Sequence, residues 1–479
     1  MDNHDNEILK LYNFSLSFLS DNVYRNVVSN ISLTVERGKT LGVVGESGSG
    51  KTVTVMSLIK LLNYPPAKID SGEALFTDKD GNVVDLLALD EEKLIFYRGK
   101  KISCVFQNPM TSLNPSMKCG RQVTEVLDVK DKNEAFNETI KIFKEVGLPR
   151  PEHIFDSYPH QISGGQRQRV MIAIAIACKP DILIADEPTT ALDVRIQKKI
   201  IDLLKNLQKK YNMSIIMISH NLGIIREIAD YVVVMKYGKV VETGDVSSVF
   251  SNPKHPYTMG LLACRPPLHS KLKFLPTVED IEEKTAKIPD FSIDSYIETL
   301  KLPVADTKMG AVNVIADDVS KHLDDAEILK VNNLVVRYAK HFNFFGNPND
   351  FVYAVNDVSF KIRFGETLGI LGESGCGKST IAKTICNLLK PFSGEILFDN
   401  VDILKLHSKK RKLLCEKIQM VFQDPYSSLN PKITVGEALI EPLKVHNILD
   451  NYNQRKEKVL YLMSKVGLSP SDFYKYPYE

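Results

Sequence analysis

No apolar run in this sequence reaches the roughly 20 residues that a helix needs to cross a bilayer. The longest, RVMIAIAIAC around Ile172 and SIIMIS around Ile216, fall well short. The start, MDNHDNEILK, is acidic and polar and has neither the basic nor the apolar stretch of a signal peptide. A soluble, cytoplasmic chain is expected on those grounds. Seven cysteines lie at 104, 119, 178, 264, 376, 386 and 415, with no Cys-x-x-Cys pair. That spacing argues against a zinc or disulfide framework and suits a reducing compartment, with most thiols serving as small buried hydrophobes. Neither sign of charge dominates. The net is +2 with 25% charged residues, which leaves no electrostatic case for nucleic acid or a membrane surface.

What is present is repetition. A chain of 479 residues with 43% hydrophobic content exceeds one ordinary core, so two domains of roughly 150 to 250 residues are expected. Self-comparison supplies them. ILKLYNFSLSF at Ile8 recurs as ILKVNNLVVRY at Ile328, and GKTLGVVGESGSGKT at Gly38 recurs as GETLGILGESGCGKST at Gly365. VFQNPMTSLNP at Val105 recurs as VFQDPYSSLNP at Val421. The offset stays between 316 and 327 residues, which means a duplicated domain rather than a solenoid. The first copy, with a short C-terminal extension, is placed at residues 6–265, and the N-terminal part of a second at 328–479. Residues 266–327 read as an acidic linker of weak periodicity. From Arg265 to Glu327 there are eight basic against 13 acidic residues, the wrong balance for an RNA- or DNA-binding arm.

In each copy TLGVVG or TLGILG is a short β-branched run ending in glycine, the pattern of a buried parallel strand feeding a loop and then a helix. DILIADEP at Asp181 and SIIMISH at Ser214 are two more such strands, and a largely helical insert runs from about Ser112 to Arg169. Alternating strands and helices imply an α/β domain with a helical subdomain, duplicated, with the second copy incomplete.

Two matches to GxxxxGK(S/T) follow those strands. The first is Gly45, Glu46, Ser47, Gly48, Ser49, Gly50, Lys51, Thr52. The second is Gly372, Glu373, Ser374, Gly375, Cys376, Gly377, Lys378, Ser379, with Thr380 next. Glycines let backbone N–H groups turn inward around a phosphate, and the following helix offers its positive end. Lys51 or Lys378 would add a charge on the β- and γ-phosphates, and Thr52 or Ser379 a hydroxyl on Mg²⁺. One chance match is conceivable in a chain of this length; two in matched context make an ATP site.

ILIADE supplies carboxylates. Asp186, at the end of an apolar strand, can order the Mg²⁺ shell, and Glu187 can polarise a water for in-line attack on the γ-phosphate. Alone, such a pair is more often a helix cap or a solvated loop end; downstream of a P-loop the balance reverses. ISGGQ adds Ser163, Gly164, Gly165 and Gln166 at the start of another helix, a second anion site. One triphosphate does not need two such sites in one domain, but two domains packed head to tail do.

With these motifs the first copy resembles an ABC-type nucleotide-binding domain, a P-loop NTPase fold, with ISGGQ in place of the usual LSGGQ. The resemblance implies that Gln107 touches Mg²⁺ and senses the attacking water, with Gln423 as its counterpart. It implies that Asp193 of ALD lies on a loop crossing the dimer interface and that His220 contacts the γ-phosphate. It aligns Phe18 and Tyr338 with the aromatic that stacks on adenine, although either also suits a core position. It places the acidic strand beside the P-loop strand. VFQNPMTSLNP, VFQDPYSSLNP and NPKHPYTMGLL at Asn252 are similar to ATP-binding subunits of peptide, nickel and glutathione importers, including forms with two fused cassettes. Some members carry a cysteine run after HPYT that holds an iron–sulfur cluster; only Cys264 lies there, so no cluster is carried over.

The implied function is a transport ATPase using ATP and Mg²⁺ at the cytoplasmic face of the cell membrane. Its partners would be two membrane permease subunits, docked near residues 108–160 and 424–475, and a solute-binding protein; nucleic acid is not among them. A soluble twin-cassette protein acting on ribosomes or DNA shares the chemistry, but the acidic linker and the HPYT segment speak against it. A non-catalytic remnant is the third alternative.

The second copy stops after the counterpart of Gln161. DFYKYPYE, Asp472 to Glu479, matches the lead-in DSYPHQISGG but no signature follows. In an intramolecular head-to-tail pair the Lys51 site would lack an opposing signature, and the Lys378 site would lack its own carboxylates and histidine. TLGILG would also lose a strand neighbour, leaving a raw apolar edge. The sequence is accordingly expected to be a fragment of a longer fused ATPase, the alternative being a truncated product whose first copies pair between chains.

Overall fold

The computed structural model describes residues 6–20, 23–107, 112–190, 192–264, 272–288, 292–301, 327–342, 348–373, 375–422 and 428–479. The chain divides into two compact units, Met1–Ala311 and Val312–Glu479.

The first unit is built on two sheets. One is antiparallel, with β1 (Glu7–Ser20), β2 (Val23–Glu36), β4 (Ala67–Thr77) and β5 (Val83–Asp85) in the order β2-β1-β4-β5. The other holds β3 (Thr40–Val44), β6 (Ile102–Val105), β7 (Ile182–Asp186), β8 (Ser214–Ile218), β9 (Tyr231–Lys236) and β10 (Lys239–Asp245) in the order β10-β9-β3-β8-β7-β6. Its members from β9 to β6 run parallel. TLGVV, ILIAD and SIIMI are buried at every position, as a parallel sheet covered on both faces requires.

The strand order corrects one expectation. Thr40 pairs with Ile215 of β8 and Leu41 with Tyr231 of β9, so β3 has β8 and β9 as neighbours. The acidic strand β7 lies beyond β8, with Ile182 opposite Ser214. Order in a parallel sheet is set by how the crossover helices pack, which the apolar runs alone do not encode.

The helical insert comprises Cys119–Thr124, Lys132–Glu145, Pro151–Asp156 and Gly164–Ile176. Phe143, Val170 and Ile172 from it join a core that continues under β7 and β8. Phe155 sits against Gly120, where an added Cβ would meet the ring at 2.1 Å.

Residues 272–301, expected as linker, fold instead onto the first unit. Helices Val278–Lys287 and Ile293–Leu300 follow Pro256–Ala263, Ile281 and Leu300 are buried, and Leu272 bridges to Lys301. A polar amphipathic helix whose buried face includes Val278 and Ile281 leaves little periodic signal in sequence. The rest of the expected linker, residues 302–326, lies outside the described residues.

The second unit repeats the antiparallel sheet as β11 (Glu327–Phe342), β12 (Pro348–Arg363), β13 (Ser393–Phe398) and β14 (Val401–Asp402), in the order β12-β11-β13-β14. It also repeats the insert. Ile440, Val459, Met463 and Phe473 form a small core, with Phe473 against Gly436 as Phe155 is against Gly120. The parallel sheet is what differs: residues 367–373 and 418–422 form no strand. Leu371 is 95% and Val421 97% exposed, whereas their counterparts Val44 and Val105 are 0% and 1% exposed. The apolar runs are strands in the first unit, where β7, β8 and β9 flank them, and form none among the described residues of the second.

Candidate active site

β3 ends in the P-loop. Gly45, Gly48 and Gly50 take φ of +151°, +81° and +94°, and helix Lys51–Ser57 begins at once. Positive φ at these positions turns successive N–H groups into one concavity, which side chains with a Cβ would resist. Lys51 is buried, and its Nζ donates to Gly45 O at 2.9 Å, Glu46 O at 2.7 Å and Ser49 Oγ at 3.4 Å. Burial lowers its pKa against the opposing pull of Glu187, Asp186 and Glu46. An ammonium desolvated this far and held by neutral oxygens gains by meeting an anion.

Thr52 Oγ1 donates to Asp186 Oδ1 at 3.2 Å, bringing the P-loop helix to the tip of β7. Burial pushes the Asp186 carboxyl up to about 6; the Glu187 charge adds to this, while the Thr52 hydrogen bond and Lys51 oppose it. Hydroxyl and carboxylate oxygens together are hard donors of the kind a Mg²⁺ ion takes. Among the described residues no cluster of three or more His, Cys, Asp or Glu side chains could hold a metal alone, so the remaining ligands would come from nucleotide and water.

Glu187 follows at φ +45°, its N–H bonded to Ile218 O at 3.0 Å. Three side chains converge on its carboxylate. Gln107 Nε2 and Thr190 Oγ1 each donate to Oε2 at 3.0 Å, and His220 Nδ1 lies 3.0 Å from Oε1. Burial would raise this carboxyl, but the bonds to His220, Thr190 and Gln107 outweigh it and hold its pKa below the ordinary value. The product is an ionised, aimed carboxylate at the mouth of the P-loop, the state a general base requires. Cys104, by contrast, is pushed up to about 12 by burial and takes no part as a thiolate.

Lys51, Thr52, Gln107, Asp186, Glu187 and His220 thus meet. Other expected residues do not join them within this unit. Ser163 N-caps helix Gly164–Ile176 in a capping box, accepting from Gln166 N at 3.3 Å while Gln166 Oε1 accepts from Ser163 N at 2.9 Å. Gly164 faces open space and Gly165 lies against Ile196. Asp193 caps helix Val194–Tyr211 by accepting from Ile196 N at 2.9 Å. Phe18 packs against the hydrophobic core with Phe14 and Leu16. Phe18 is half-buried, and register shifts between Phe14 and Leu16 and between Leu16 and Ser17 break the strict alternation of faces there. An exposed aromatic on the paired strand is Tyr24 of β2, under Lys68, on the strand whose Val28 abuts Gly50. Tyr24 and Thr190 went unread because neither belongs to a quoted motif.

In the second unit Gly375 and Gly377 repeat the positive φ. Lys378 Nζ donates to Gly372 O at 2.7 Å and Glu373 O at 2.6 Å, and lies 3.6 Å from Cys376 Sγ. Ser379 and Thr380 open its helix, and Tyr338 is exposed on β11. Ser374 and Gln423 lie outside the described residues.

Comparison with known proteins agrees. The family model described as "ABC transporter" matches residues 28–190 and 355–476, and "Oligopeptide/dipeptide transporter, C-terminal region" matches 241–291. The glutathione import ATP-binding protein GsiA of Pectobacterium atrosepticum is 39% identical over 480 residues, covering 99% of this chain and 73% of that protein. Its namesake in Escherichia coli strain K12 is 38% identical over 475 residues, covering 98% and 73%. A solved bacterial ABC transporter cassette, MJ0796, aligns over 50% of this chain and 99% of its own at 27% identity, with a TM-score of 0.45. The chain belongs to the ATP-binding proteins of ABC transporters. It binds and hydrolyses ATP as the energy-supplying component of an importer of the peptide and glutathione class.

Proposed function

We propose that the first cassette carries the hydrolytic chemistry, with Glu187 as general base, Lys51 on the β- and γ-phosphates, and Thr52 and Asp186 holding Mg²⁺. The carrying observation is the Glu187 carboxylate gripped by Gln107, Thr190 and His220. Mg²⁺, when bound, would neutralise phosphate charge as it develops. His220 and Gln107 orient the base, and through it they register whether a phosphate is present. Tyr24 offers the aromatic face for adenine on the first cassette.

The exposed Ser163 signature is offered to the nucleotide of a second cassette, and Asp193, at the head of its helix, borders that junction. Domain limits of 6–301 and 327–479 fit this division of labour. The cassettes work at the cytoplasmic face of the membrane against two permease subunits, fed by a solute-binding protein that delivers glutathione or a short peptide. No helix among the described residues is long and apolar enough to cross a membrane.

Affinity purification of the tagged chain from native membranes should recover two permeases. Turnover of that assembly should rise with binding protein loaded with glutathione or dipeptide. Recovery of ribosomes without permeases, or turnover indifferent to loaded binding protein, refutes the assignment.

A further inference from the structure

We propose that the C-terminal extension acts on the nucleotide site through Tyr257, a positioning residue that holds the P-loop at Glu46. This rests on the ATP-binding role of the first cassette and gives the extension a part in it. Tyr257 lies in the first turn of helix Pro256–Ala263 and is fully buried. A buried phenol needs a hydrogen-bond partner, and here the partner is the P-loop: Glu46 N–H donates to Tyr257 OH at 2.9 Å. Burial pushes the phenol up to about 12, against the opposing pull of the Glu46 N–H, so it stays neutral at physiological pH.

The bonded group decides the consequence. Glu46 N–H and Gly45 C=O belong to one planar peptide unit. Its N–H end is held by Tyr257, and its C=O end accepts from Lys51 Nζ at 2.9 Å. That plane cannot rotate without breaking the phenol bond, so Tyr257 limits how far the anchor of the phosphate-binding ammonium can move.

A second strut reaches the far end of the loop. Lys236 Nζ stands 4.8 Å over the Tyr257 ring and pairs with Glu282 Oε2 at 2.7 Å, on helix Val278–Lys287. Two residues after Lys236, Gly238 N–H donates to Ser49 O at 3.1 Å. Glu46 and Ser49 are therefore both tied to groups the extension holds. A cavity of about 640 Å³ has Glu46 and His220 on its catalytic side and Leu261, Cys264, Thr277 and Glu279 on the side of the extension. In the second cassette Lys378 makes the same bonds to its loop carbonyls. Held at both ends of the Gly45–Glu46 peptide, the loop is stiffened, and stiffening a site in its binding form raises affinity.

The test uses the full chain in a Lys378→Ala background, which leaves the first cassette as the nucleotide site. Tyr257→Phe keeps the ring and removes only the hydroxyl. Calorimetric titration should show ATP binding about three- to tenfold weaker, the range for one lost hydrogen bond. KM should rise by the same factor, with kcat within twofold. Glu282→Gln, which loosens Lys236 and leaves the phenol, should shift affinity the same way by less, and it serves if the phenylalanine variant does not fold. In a Lys51→Ala background, where the second cassette alone binds, Tyr257→Phe should change nothing. Unchanged ATP affinity at the first cassette, equal losses at both cassettes, or a fall in kcat with KM unmoved would each overturn the proposal. Loss of ATP binding by the parent background would instead refute the ATP-binding role itself.

Discussion

His220 Nδ1 lies 3.0 Å from Glu187 Oε1, joining the ends of two adjacent strands, β8 and β7, at a single carboxylate. With Glu187 ionised, Nδ1 must carry a proton to donate to it, and Nε2 could donate to a phosphate oxygen only if it carried a proton as well. The carboxylate proposed as base and the histidine beside it are therefore one connected unit.

Glu187→Gln keeps the shape of the site and removes the base. Stoichiometric ATP binding should persist while single-turnover phosphate release falls by roughly 10² to 10⁴. Hydrolysis at the wild-type rate would remove Glu187 from its role.

His220→Ala should change the pH profile as well as the rate. Hydrogen bonds keep Glu187 below its ordinary pKa against the effect of burial; with the largest of them gone, burial gains ground and the carboxyl titrates higher. The acid limb of kcat against pH should move upward. An acid limb that stays in place means that His220 does not set the protonation of Glu187.

Asp186→Asn should stabilise the nucleotide-free protein. A folded pKa of about 6 against an ordinary 3.8 means the folded state holds the proton more tightly than the unfolded one. Stability is therefore lost as pH rises from about 4 to about 6, and at pH 7 nearly the full cost applies, on the order of 3 kcal/mol. Thermal melts at pH 7 should favour the asparagine variant, with the gap closing below pH 4. Mg²⁺ with ATP should reverse the order by stabilising only the aspartate form.

Gly238→Ala should weaken nucleotide binding from outside the P-loop. A Cβ there would sit 2.0 Å from Val27 O, at φ +72°. Backbone cannot yield as a side chain can, so the turn must shift and carry with it the bond to Ser49 O. Titration of ATP should show the loss, and an unchanged affinity would mean that the turn moves independently of the loop.

Hydrogen exchange should separate the two copies of one sequence pattern. Amides at 41–44, inside β3, should be protected for hours, while those at 368–371 should exchange at nearly the rate of open chain. Equal protection would mean that the second run finds partners in solution.

The chemistry was legible wherever a motif has fixed spacing along the chain. Gly45 to Thr52, Asp186 with Glu187, Gln107 and His220 were readable because each motif occupies its own strand end, and strand ends in such a sheet face one crevice. Sheet order was not readable: β8 separates β3 from β7, and nothing in SIIMI distinguishes a strand one place from the P-loop from a strand two places away. Whether Phe18 stacks on adenine or packs in the core was not readable, because alignment of the two copies says nothing about which face of β1 is buried. The helix Val278–Lys287 escaped notice because a mostly charged helix with one narrow apolar stripe resembles a linker. Tyr257 was visible only as part of HPYT, with no hint that its hydroxyl would reach back 211 residues to Glu46.

The flanking of β3 by β8 and β9 also bears on the birth of the protein. Thr40 waits for Ile215, and Leu41 for Tyr231. At about 5 to 20 residues per second, the nascent chain carries an apolar strand with no partner for roughly 10 to 35 seconds after it leaves the ribosome. During that time the glycine-rich turn behind it has no framework to hold its shape, so nucleotide can help the cassette fold only after translation has passed Tyr231.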